Sequence, residues 1–259
     1  MVLIQTIDAA NRRVLDRKVN AVDRLTSLSD VVLRPTSGNA FEATVEQLAT
    51  AIRLGVFTDG QQLPPERELA ERLAVSRNTL REAIAALRDS GLVATRRGRG
   101  GGTIVTYAGL EPGTGDAPVR TGPALADAMD FRRVVEPGAA ALAATRSLAA
   151  DQRAWLLESA QAAREAPDNA AHRLADSRFH LAVATMSGSP MLIEAVTRAQ
   201  AAVHELLSAI PVLRRNIEHS NDQHDAIVRA ILAGDPEAAR AAMEEHCDAT
   251  SALLRGLLG

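Results

Sequence analysis

Hydrophobic and polar positions between Leu63 and Val105 follow a pattern that predicts two short helices and a hairpin of strands. Apolar residues recur on one face of each helix: Leu69 and Leu73 in the first, and Leu80, Ala83, Ile84 and Leu87 in the second. Ser76 is a suitable N-cap for the second helix, and Ala74 and Val75 form the corner before it. The stretch LVATRRGRGGGTIV, which follows a helix-ending glycine, is typical of two strands around a glycine-rich loop. The pattern therefore predicts a winged helix-turn-helix.

The first turn of the second helix carries side chains that hydrogen-bond phosphates or base edges: Ser76, Arg77, Asn78, Thr79 and Arg81. The predicted loop adds Arg96, Arg97 and Arg99. From Val75 to Gly102 there are six arginines and two acidic residues, a net charge of +4 in a chain whose formal net charge is -3. An ordinary helical hairpin with a solvated basic face is the alternative. The local excess of positive charge favours a surface that follows DNA phosphates.

Polar and helix-breaking residues divide the rest of the chain. Residues 1–40 form an N-terminal extension, either a poorly ordered arm or a helix that packs on a partner subunit. Residues 41–108 form the predicted DNA-binding domain, and residues 109–122, rich in Gly, Pro, Thr and Asp, form a linker. Residues 123–259 contain only helical patterns and predict an all-α bundle of about six helices. The predicted fold class is therefore mainly α.

Helix boundaries within this bundle follow from capping residues. Asp151 and Asp235 are suitable N-caps, and Gly234 is placed to end a helix. The sequence Ser187-Gly-Ser-Pro190 predicts that one helix stops and the next begins.

Composition agrees with a helical, globular protein of two modest domains. Of its 259 residues, 46% are hydrophobic and 24% are charged, whereas only 2% are aromatic. Cys247 is the single cysteine, so an intrachain disulfide is excluded and a reducing compartment is expected. No apolar run approaches the roughly 20 residues of a membrane span, and the first residues lack the features of a secretory signal. We therefore expect a cytoplasmic protein with no membrane partner.

Three histidines and one carboxylate lie on predicted apolar helix faces. Asp176 and His180 are four residues apart, which places both on one face of a helix, and His224 and His246 lie on two further helices. A single inward-facing histidine is usually a hydrogen-bonded core residue, and a buried carboxylate is costly unless it is paired. Four such groups together favour a divalent metal ion, with zinc, nickel and manganese all suited to these ligands.

The segments PPERELAERLAVSRNTLREAI and RRGRGGGTIV resemble, without a gap, the DNA-binding domain of the GntR family of bacterial transcriptional regulators. The resemblance implies that Arg67 contacts the DNA backbone or bases. It also implies that the two strands and their loop form the wing, whose tip, Arg97 and Gly98, reaches the minor groove. It also implies that the start of the second helix lines the major groove, through Ser76, Arg77, Asn78, Thr79 and Arg81. Asn78 is less usual at its position than Thr or Gly, so the base preference there stays open.

The segments FRRVVEPGAAALAA, ADSRFH and QHDAIVRAILAGDPEAARAAMEEH resemble the FCD effector domain of the FadR-like GntR subfamily. The resemblance implies that the metal ligands are Asp176, His180, His224 and His246. It also implies that a small carboxylate binds in the same cavity, often completing the metal shell, with Arg132 as a candidate partner for its charge.

The other histidines and the cysteine receive different assignments. His172 lies one turn before Asp176 and is placed to face the same cavity, whereas His204 and His219 are expected to be solvated. Cys247 follows a predicted ligand but lies about 100° around the helix from it, so it is left out of the metal site.

These features predict a homodimeric, ligand-responsive transcriptional regulator, more often a repressor than an activator. Each winged domain binds one half of a pseudo-palindromic, double-stranded DNA operator. A carboxylate in the metal cavity alters the packing of the bundle, and the linker transmits the change and lowers operator affinity. The same regulator with a metal-free cavity for a larger acid, in which the histidines donate hydrogen bonds, is the alternative.

Two enzyme interpretations are weaker. A catalytic metal site needs an open coordination position and a placed base, and no further acid lies in a motif that assigns it as that base. An aminotransferase-like domain needs a lysine for pyridoxal phosphate. Lys18 is the only lysine, and the 137 residues from 123 to 259 are too few for that fold.

Overall fold

The computed structural model describes residue 33 and residues 40–98, 101–109, 122–210 and 214–258. Within these ranges it contains nine helices and one sheet of two strands, which confirms the mainly α prediction. Most of the predicted N-terminal extension and of the linker lies outside the described residues, as does Arg99 of the wing loop.

The predicted winged helix-turn-helix is present. It consists of helices α1 (Ala40–Arg53), α2 (Glu66–Leu73) and α3 (Arg77–Asp89), followed by strands β1 (Val93–Arg96) and β2 (Gly102–Val105). The strands are antiparallel, with Val93 opposite Val105.

Local chemistry fixes the boundaries of these elements. Ala74 adopts a left-handed conformation, with φ of 53°, and ends α2. Ser76 caps α3 by accepting a hydrogen bond of 3.0 Å from the backbone N–H of Thr79. Gly91, with φ of 75°, makes the turn into β1. The corner, cap and turn therefore lie where the sequence predicted them.

Six helices follow among the described residues, as the sequence predicted. They are α4 (Pro123–Ala144), α5 (Ala150–Arg164), α6 (Asn169–Met186), α7 (Pro190–Ser208), α8 (Arg214–Ala233) and α9 (Pro236–Leu258).

One capping prediction in this bundle is confirmed and one is wrong. Asp235 accepts a hydrogen bond of 2.9 Å from the backbone N–H of Ala238 and caps α9. Asp151 does not cap α5, because the helix begins at Ala150 and Asp151 lies within its first turn. At this helix start the Gln152 side chain accepts a hydrogen bond of 2.9 Å from the backbone N–H of Ala149, so that this N–H has a partner.

Helix α6 is the centre of the bundle and packs against α4, α5 and α7. Almost all of its side chains from His172 onward are buried, including polar ones. Phe179 and Val183 join the main apolar cluster of the bundle, together with Ile227 and Met243 from α8 and α9. A polar group on α6 therefore faces neighbouring helices rather than water.

The winged part packs directly against α6 and α7. Leu48 and Ile52 of α1 belong to the same apolar cluster as Ile193 and Val196 of α7. Gly55, with φ of 70°, lies so close to α6 that a Cβ at this position would be 3.0 Å from Cβ of Leu174. Within the described residues, none of the helices has the length and apolar character needed to cross a membrane.

Candidate metal centre and nucleic-acid surface

The four predicted metal ligands converge in the interior of the bundle. One donor atom from each of Asp176, His180, His224 and His246 lies within 4.8 Å of every other. Asp176 and His180 come from α6, His224 from α8 and His246 from α9. All four residues are buried, because α6 is enclosed by its neighbours and the other two helices turn their apolar faces toward it.

Distances between these donors fit a first-row divalent ion. Nε2 of His180 lies 3.2 Å from Nε2 of His246, and Nε2 of His224 lies 3.4 Å from Oδ1 of Asp176. Donors that are each about 2.0–2.2 Å from a zinc ion and spread around it are roughly 3 to 3.5 Å apart. The closer pairs therefore match metal-bound donors, and the four donor atoms, all within 4.8 Å of one another, could hold an ion.

The protonation states also suit metal binding. Burial lowers the pKa of His224 to about 3 and holds the pKa of His246 well below its ordinary value. Burial opposes the negative charge of Asp176, but the nearby His180 and His224 lower its pKa overall. Neutral imidazoles and an ionised carboxylate are the forms that bind metals.

Unsatisfied atoms point the same way. Neither ring nitrogen of His224 has a hydrogen-bond partner among the described residues, although the side chain is fully buried. An unpaired buried polar atom is costly, and a metal–nitrogen bond would remove that cost at Nε2. The donor set and the unpaired nitrogen thus fit a metal ion.

A buried carboxylate that the sequence reasoning missed supports the site. Oε1 of Glu136 accepts hydrogen bonds from Nε of Arg132 at 3.1 Å and from Nε2 of Gln200 at 2.6 Å. Oε2 of Glu136 lies 2.8 Å from Nδ1 of His180, in contact but not aligned for a linear hydrogen bond. Burial alone would raise the pKa of Glu136, but Arg132 and His180 lower it to about 2. Glu136 therefore stays charged and orients two residues of the site.

Two signals could have found this second layer. Glu136 is four residues after Arg132, the spacing of a pair on one helix face, in a helix otherwise rich in alanine. Gln223 immediately precedes His224, and its Oε1 lies 3.2 Å from Nδ1 of His246. Such a partner fixes the orientation of a metal-ligating ring.

A cavity of about 70 Å³ opens beside the four ligands. Asp176, His246 and Arg132 line it, together with the apolar side chains of Val203 and Leu207 from α7. Nη1 of Arg132 has no hydrogen-bond partner among the described residues, although the side chain is only 1% exposed. The cavity thus combines a candidate metal position with a guanidinium that can bind a carboxylate.

The remaining histidines divide differently from the prediction. His172 lines the cavity, as expected, and its Nδ1 is held 2.9 Å from the backbone oxygen of Ala163. His219 is exposed, as expected. The expectation that His204 is solvated is wrong, since it is 4% exposed and its Nε2 lies 3.0 Å from Oη of Tyr107. Cys247 is buried, with Sγ 3.9 Å from Oε2 of Glu136, and it is not among the converging donors.

The predicted DNA-binding residues lie on α2, at the start of α3 and in the loop after β1. Arg77, Asn78, Arg81 and the wing residues Arg97 and Gly98 are exposed, and Thr79 is half-buried. Ser76 is engaged as the N-cap of α3.

Three of these side chains contact neighbouring acidic residues at the surface. Arg67 pairs with Glu71 at 3.0 Å, and Nε of Arg81 pairs with Glu66 at 2.9 Å. Asn78 donates a hydrogen bond of 2.8 Å to Glu82. Exposed ion pairs contribute little to stability and are easily exchanged for other partners, so DNA phosphates could replace these carboxylates.

Two family models match separate parts of the chain. Residues 41–103 match the family described as bacterial regulatory proteins, gntR family, and residues 127–249 match the FCD domain. The HTH-type transcriptional repressor NanR of Klebsiella aerogenes is 32% identical over 231 residues, covering 83% of this chain and 85% of NanR. RmpR of Mycobacterium gastri is 35% identical over 214 residues, covering 79% of this chain and 76% of RmpR.

The Uxu operon transcriptional regulator of Escherichia coli K12 is 29% identical, covering 74% of this chain and 77% of that regulator. Among solved structures, McbR/YncC of E. coli has a similar fold, with a TM-score of 0.52 and 19% identity. The alignment covers 85% of this chain and 99% of McbR/YncC.

Proposed function

Because the chain belongs to the gntR family of bacterial regulatory proteins and is a transcriptional regulator rather than an enzyme, we propose how it is controlled. In our proposal it is a homodimeric repressor. A divalent metal ion and a small carboxylate bind in the bundle and lower the affinity of the protein for DNA. The winged part, residues 41–108, would bind DNA, and residues 123–259 would bind the effector and dimerise.

The observation that carries the proposal is the convergence of Asp176, His180, His224 and His246, all buried and within 4.8 Å. Zinc, nickel or manganese would suit this mixture of imidazoles and one carboxylate. A bound ion would supply a Lewis-acid position for a carboxylate oxygen. The protein's own residues would orient the acid, with Arg132 as the second contact for its charge.

Arg132 is suited to this role because its two ends have different environments. Its Nε atom is fixed by Glu136 at 3.1 Å, whereas Nη1 is unpaired among the described residues, in a side chain that lines the cavity. A guanidinium held in this way is pre-oriented for a carboxylate. We therefore assign effector binding to Arg132 together with the metal position.

DNA binding would use the exposed surface around α3 and the wing. Ser76, Arg77, Asn78, Thr79 and Arg81 would face the major groove. Arg67 would contact the backbone or bases, and Arg97 and Gly98 would reach the minor groove. A symmetric dimer would present two such surfaces to a pseudo-palindromic operator. The similarity to NanR, which is called a repressor, supports repression as the direction of control.

The test of this proposal is a titration of DNA by fluorescence anisotropy. The duplex is an operator selected from a random-sequence library with the wild-type protein. Arg77→Ala should abolish specific binding without changing the fold or the metal content, because the side chain is exposed at the start of α3. Arg240→Ala, at an exposed position of α9, is the matched control and should bind normally. Specific binding retained by Arg77→Ala would overturn the groove assignment.

Effector control is tested on the same duplex with zinc-loaded protein and a panel of simple acids, such as acetate, lactate, malonate and malate. At least one acid should weaken DNA binding, and Arg132→Gln should abolish that effect. If none of these acids changes DNA affinity, control by a small carboxylate is refuted, and larger acids become the next class to test.

A further inference from the structure

Helix α7 (Pro190–Ser208) contacts both the candidate metal centre and the DNA-binding part of the protein. On the first side, Gln200 is fully buried and donates a hydrogen bond of 2.6 Å from Nε2 to Oε1 of Glu136. Glu136 in turn contacts Arg132 and His180, which are a candidate effector residue and a candidate metal ligand. Gln200 is therefore one residue removed from the site.

On the second side, His204 lies one turn after Gln200 and on the same face of the helix. Nε2 of His204 is 3.0 Å from Oη of Tyr107, and both side chains are at least half-buried. Tyr107 is two residues beyond the last residue of β2, the second strand of the wing. A hydrogen bond therefore joins the end of the wing hairpin to α7.

Charge does not interrupt this contact at neutral pH. Burial, with the nearby Arg173 and Arg53, lowers the pKa of His204 to about 4, so its ring is neutral. Burial raises the pKa of Tyr107, so its hydroxyl keeps its proton. One hydrogen is shared between the two groups, and Nδ1 of His204 has no partner among the described residues. The bond depends on the position of α7, because that helix holds the buried ring of His204 against Tyr107.

The cavity lies against the same part of α7. Val203 and Leu207 line it, and they flank His204 in the sequence. A molecule in the cavity would contact α7 directly through these two side chains. A change at Arg132 or His180 would reach α7 through Glu136 and Gln200.

We propose that α7 reports the occupancy of the metal and effector site to the wing, through the Glu136–Gln200 contact at one end and the His204–Tyr107 bond at the other. The input of this relay rests on the proposed function, since it is the metal ion or acid that would change the site. The relay itself is built from contacts between named side chains. Helix α1 of the DNA-binding part packs against α7, so a small shift of α7 would be transmitted to α1.

Hydrogen exchange measured by mass spectrometry tests the relay with zinc as the probe. Adding one equivalent of zinc to metal-free wild-type protein should change amide exchange in residues 102–107 as well as around the ligands. Tyr107→Phe keeps the ring but removes the hydroxyl, so the zinc-induced change in residues 102–107 should be lost while zinc still binds. His204→Gln, whose amide can still bond to Tyr107, should keep the change, and His204→Leu should lose it. An unaltered response in Tyr107→Phe would overturn the proposal.

A double-mutant cycle tests the relay without any metal. Gln200→Leu and Tyr107→Phe are combined, and the free energy of unfolding is measured for each single and double variant. The effects of distant substitutions on the free energy of unfolding are normally additive, so a departure from additivity beyond that of the control is expected only if α7 joins the two contacts. Glu194→Gln, at an exposed position of α7, combined with Tyr107→Phe is the additive control.

The two experiments separate this inference from the proposed function. If zinc does not bind, the metal assignment is refuted, and the double-mutant cycle then tests the relay by itself. Normal zinc binding with additive cycles and no change in residues 102–107 refutes the relay and leaves the metal assignment standing.

Discussion

His180 and His246 bring their Nε2 atoms to within 3.2 Å of each other, although the two rings come from α6 and α9. Burial keeps His246 neutral, and a neutral imidazole has one N–H and one lone pair. The two facing nitrogens can share at most one hydrogen, whereas a metal ion would accept both lone pairs. The short distance between the two nitrogens is therefore better explained by two ligands arranged around an ion than by a hydrogen bond alone.

Gln223 should control metal affinity without touching the metal. Its Oε1 lies 3.2 Å from Nδ1 of His246 and fixes the direction in which Nε2 points. Gln223→Leu removes this acceptor, and loss of such a partner typically weakens metal binding about 10- to 100-fold. Gln223→Glu keeps an acceptor oxygen at the same place and should bind metal at least as well as the wild type. Competition with a fluorescent zinc chelator measures both, and equal affinities for the Leu and wild-type proteins would exclude this role.

Glu136 should be essential for stability because it holds a buried cation. Arg132 and Glu136 are each 1% exposed and 3.1 Å apart. Glu136→Gln retains the size of the side chain but leaves the guanidinium without its counter-charge, and breaking a buried pair costs about 3 kcal/mol or more. Urea unfolding of metal-free protein measures the loss. Asp248→Asn, which breaks the exposed pair with Arg133, is the control and should change stability far less; similar losses in the two variants would contradict the assignment.

The fold was predictable because its determinants are local. The corner at Ala74, the cap at Ser76 and the turn at Gly91 each depend on neighbouring residues, and all three lie where the sequence placed them. Asp151 shows the limit of such reasoning. A good capping residue was available there, but α5 begins one residue earlier, and Gln152 satisfies the helix start instead.

The candidate site was predictable only in its first layer. Asp176 and His180 share a helix face at a spacing that the sequence displays directly. His204 was wrongly expected to be solvated, because its partner Tyr107 is 97 residues away in the chain. The contact between Glu136 and Gln200 was missed for the same reason, since 64 residues separate them. Contacts between distant segments depend on how the helices pack, which periodicity does not specify.

Acid should destabilise the protein partly through His204. Its pKa is about 4 in the folded protein, against 6.5 for the ordinary side chain, because of burial and then Arg173 and Arg53, which Asp176 offsets in part. The unfolded state therefore binds more protons between these values, and stability falls as the pH drops from about 6.5 to about 4. At about 1.4 kcal/mol per pKa unit, the contribution is roughly 3 kcal/mol.

Thermal unfolding of wild type and His204→Gln across this pH range, with a chelator present, measures the effect. The chelator removes any contribution from metal binding. The variant should lose less stability on acidification than the wild type. Parallel curves for the two proteins would show that His204 does not titrate in this way.

Arg97 should contribute to DNA affinity through its charge rather than by recognising the base sequence. It is exposed next to the wing tip, and a contact with a phosphate releases a counterion when it forms. Arg97→Ala should weaken binding to selected and unselected duplexes alike. It should also reduce the slope of log affinity against log salt concentration by about 1. An unchanged slope, with Arg240→Ala as the reference, would place Arg97 outside the DNA interface.

Metal content per chain tests the central claim most directly. Elemental analysis is made on tag-free protein purified without chelator and, separately, after addition of zinc, nickel or manganese and removal of the excess. The account predicts about one ion per chain in the wild type, with four donors around one position. The ion should be lost in His180→Ala and retained in His219→Ala, whose side chain is exposed. Absence of bound metal in both preparations would contradict the account and leave Asp176 and the histidines as a hydrogen-bonded cavity for a larger acid.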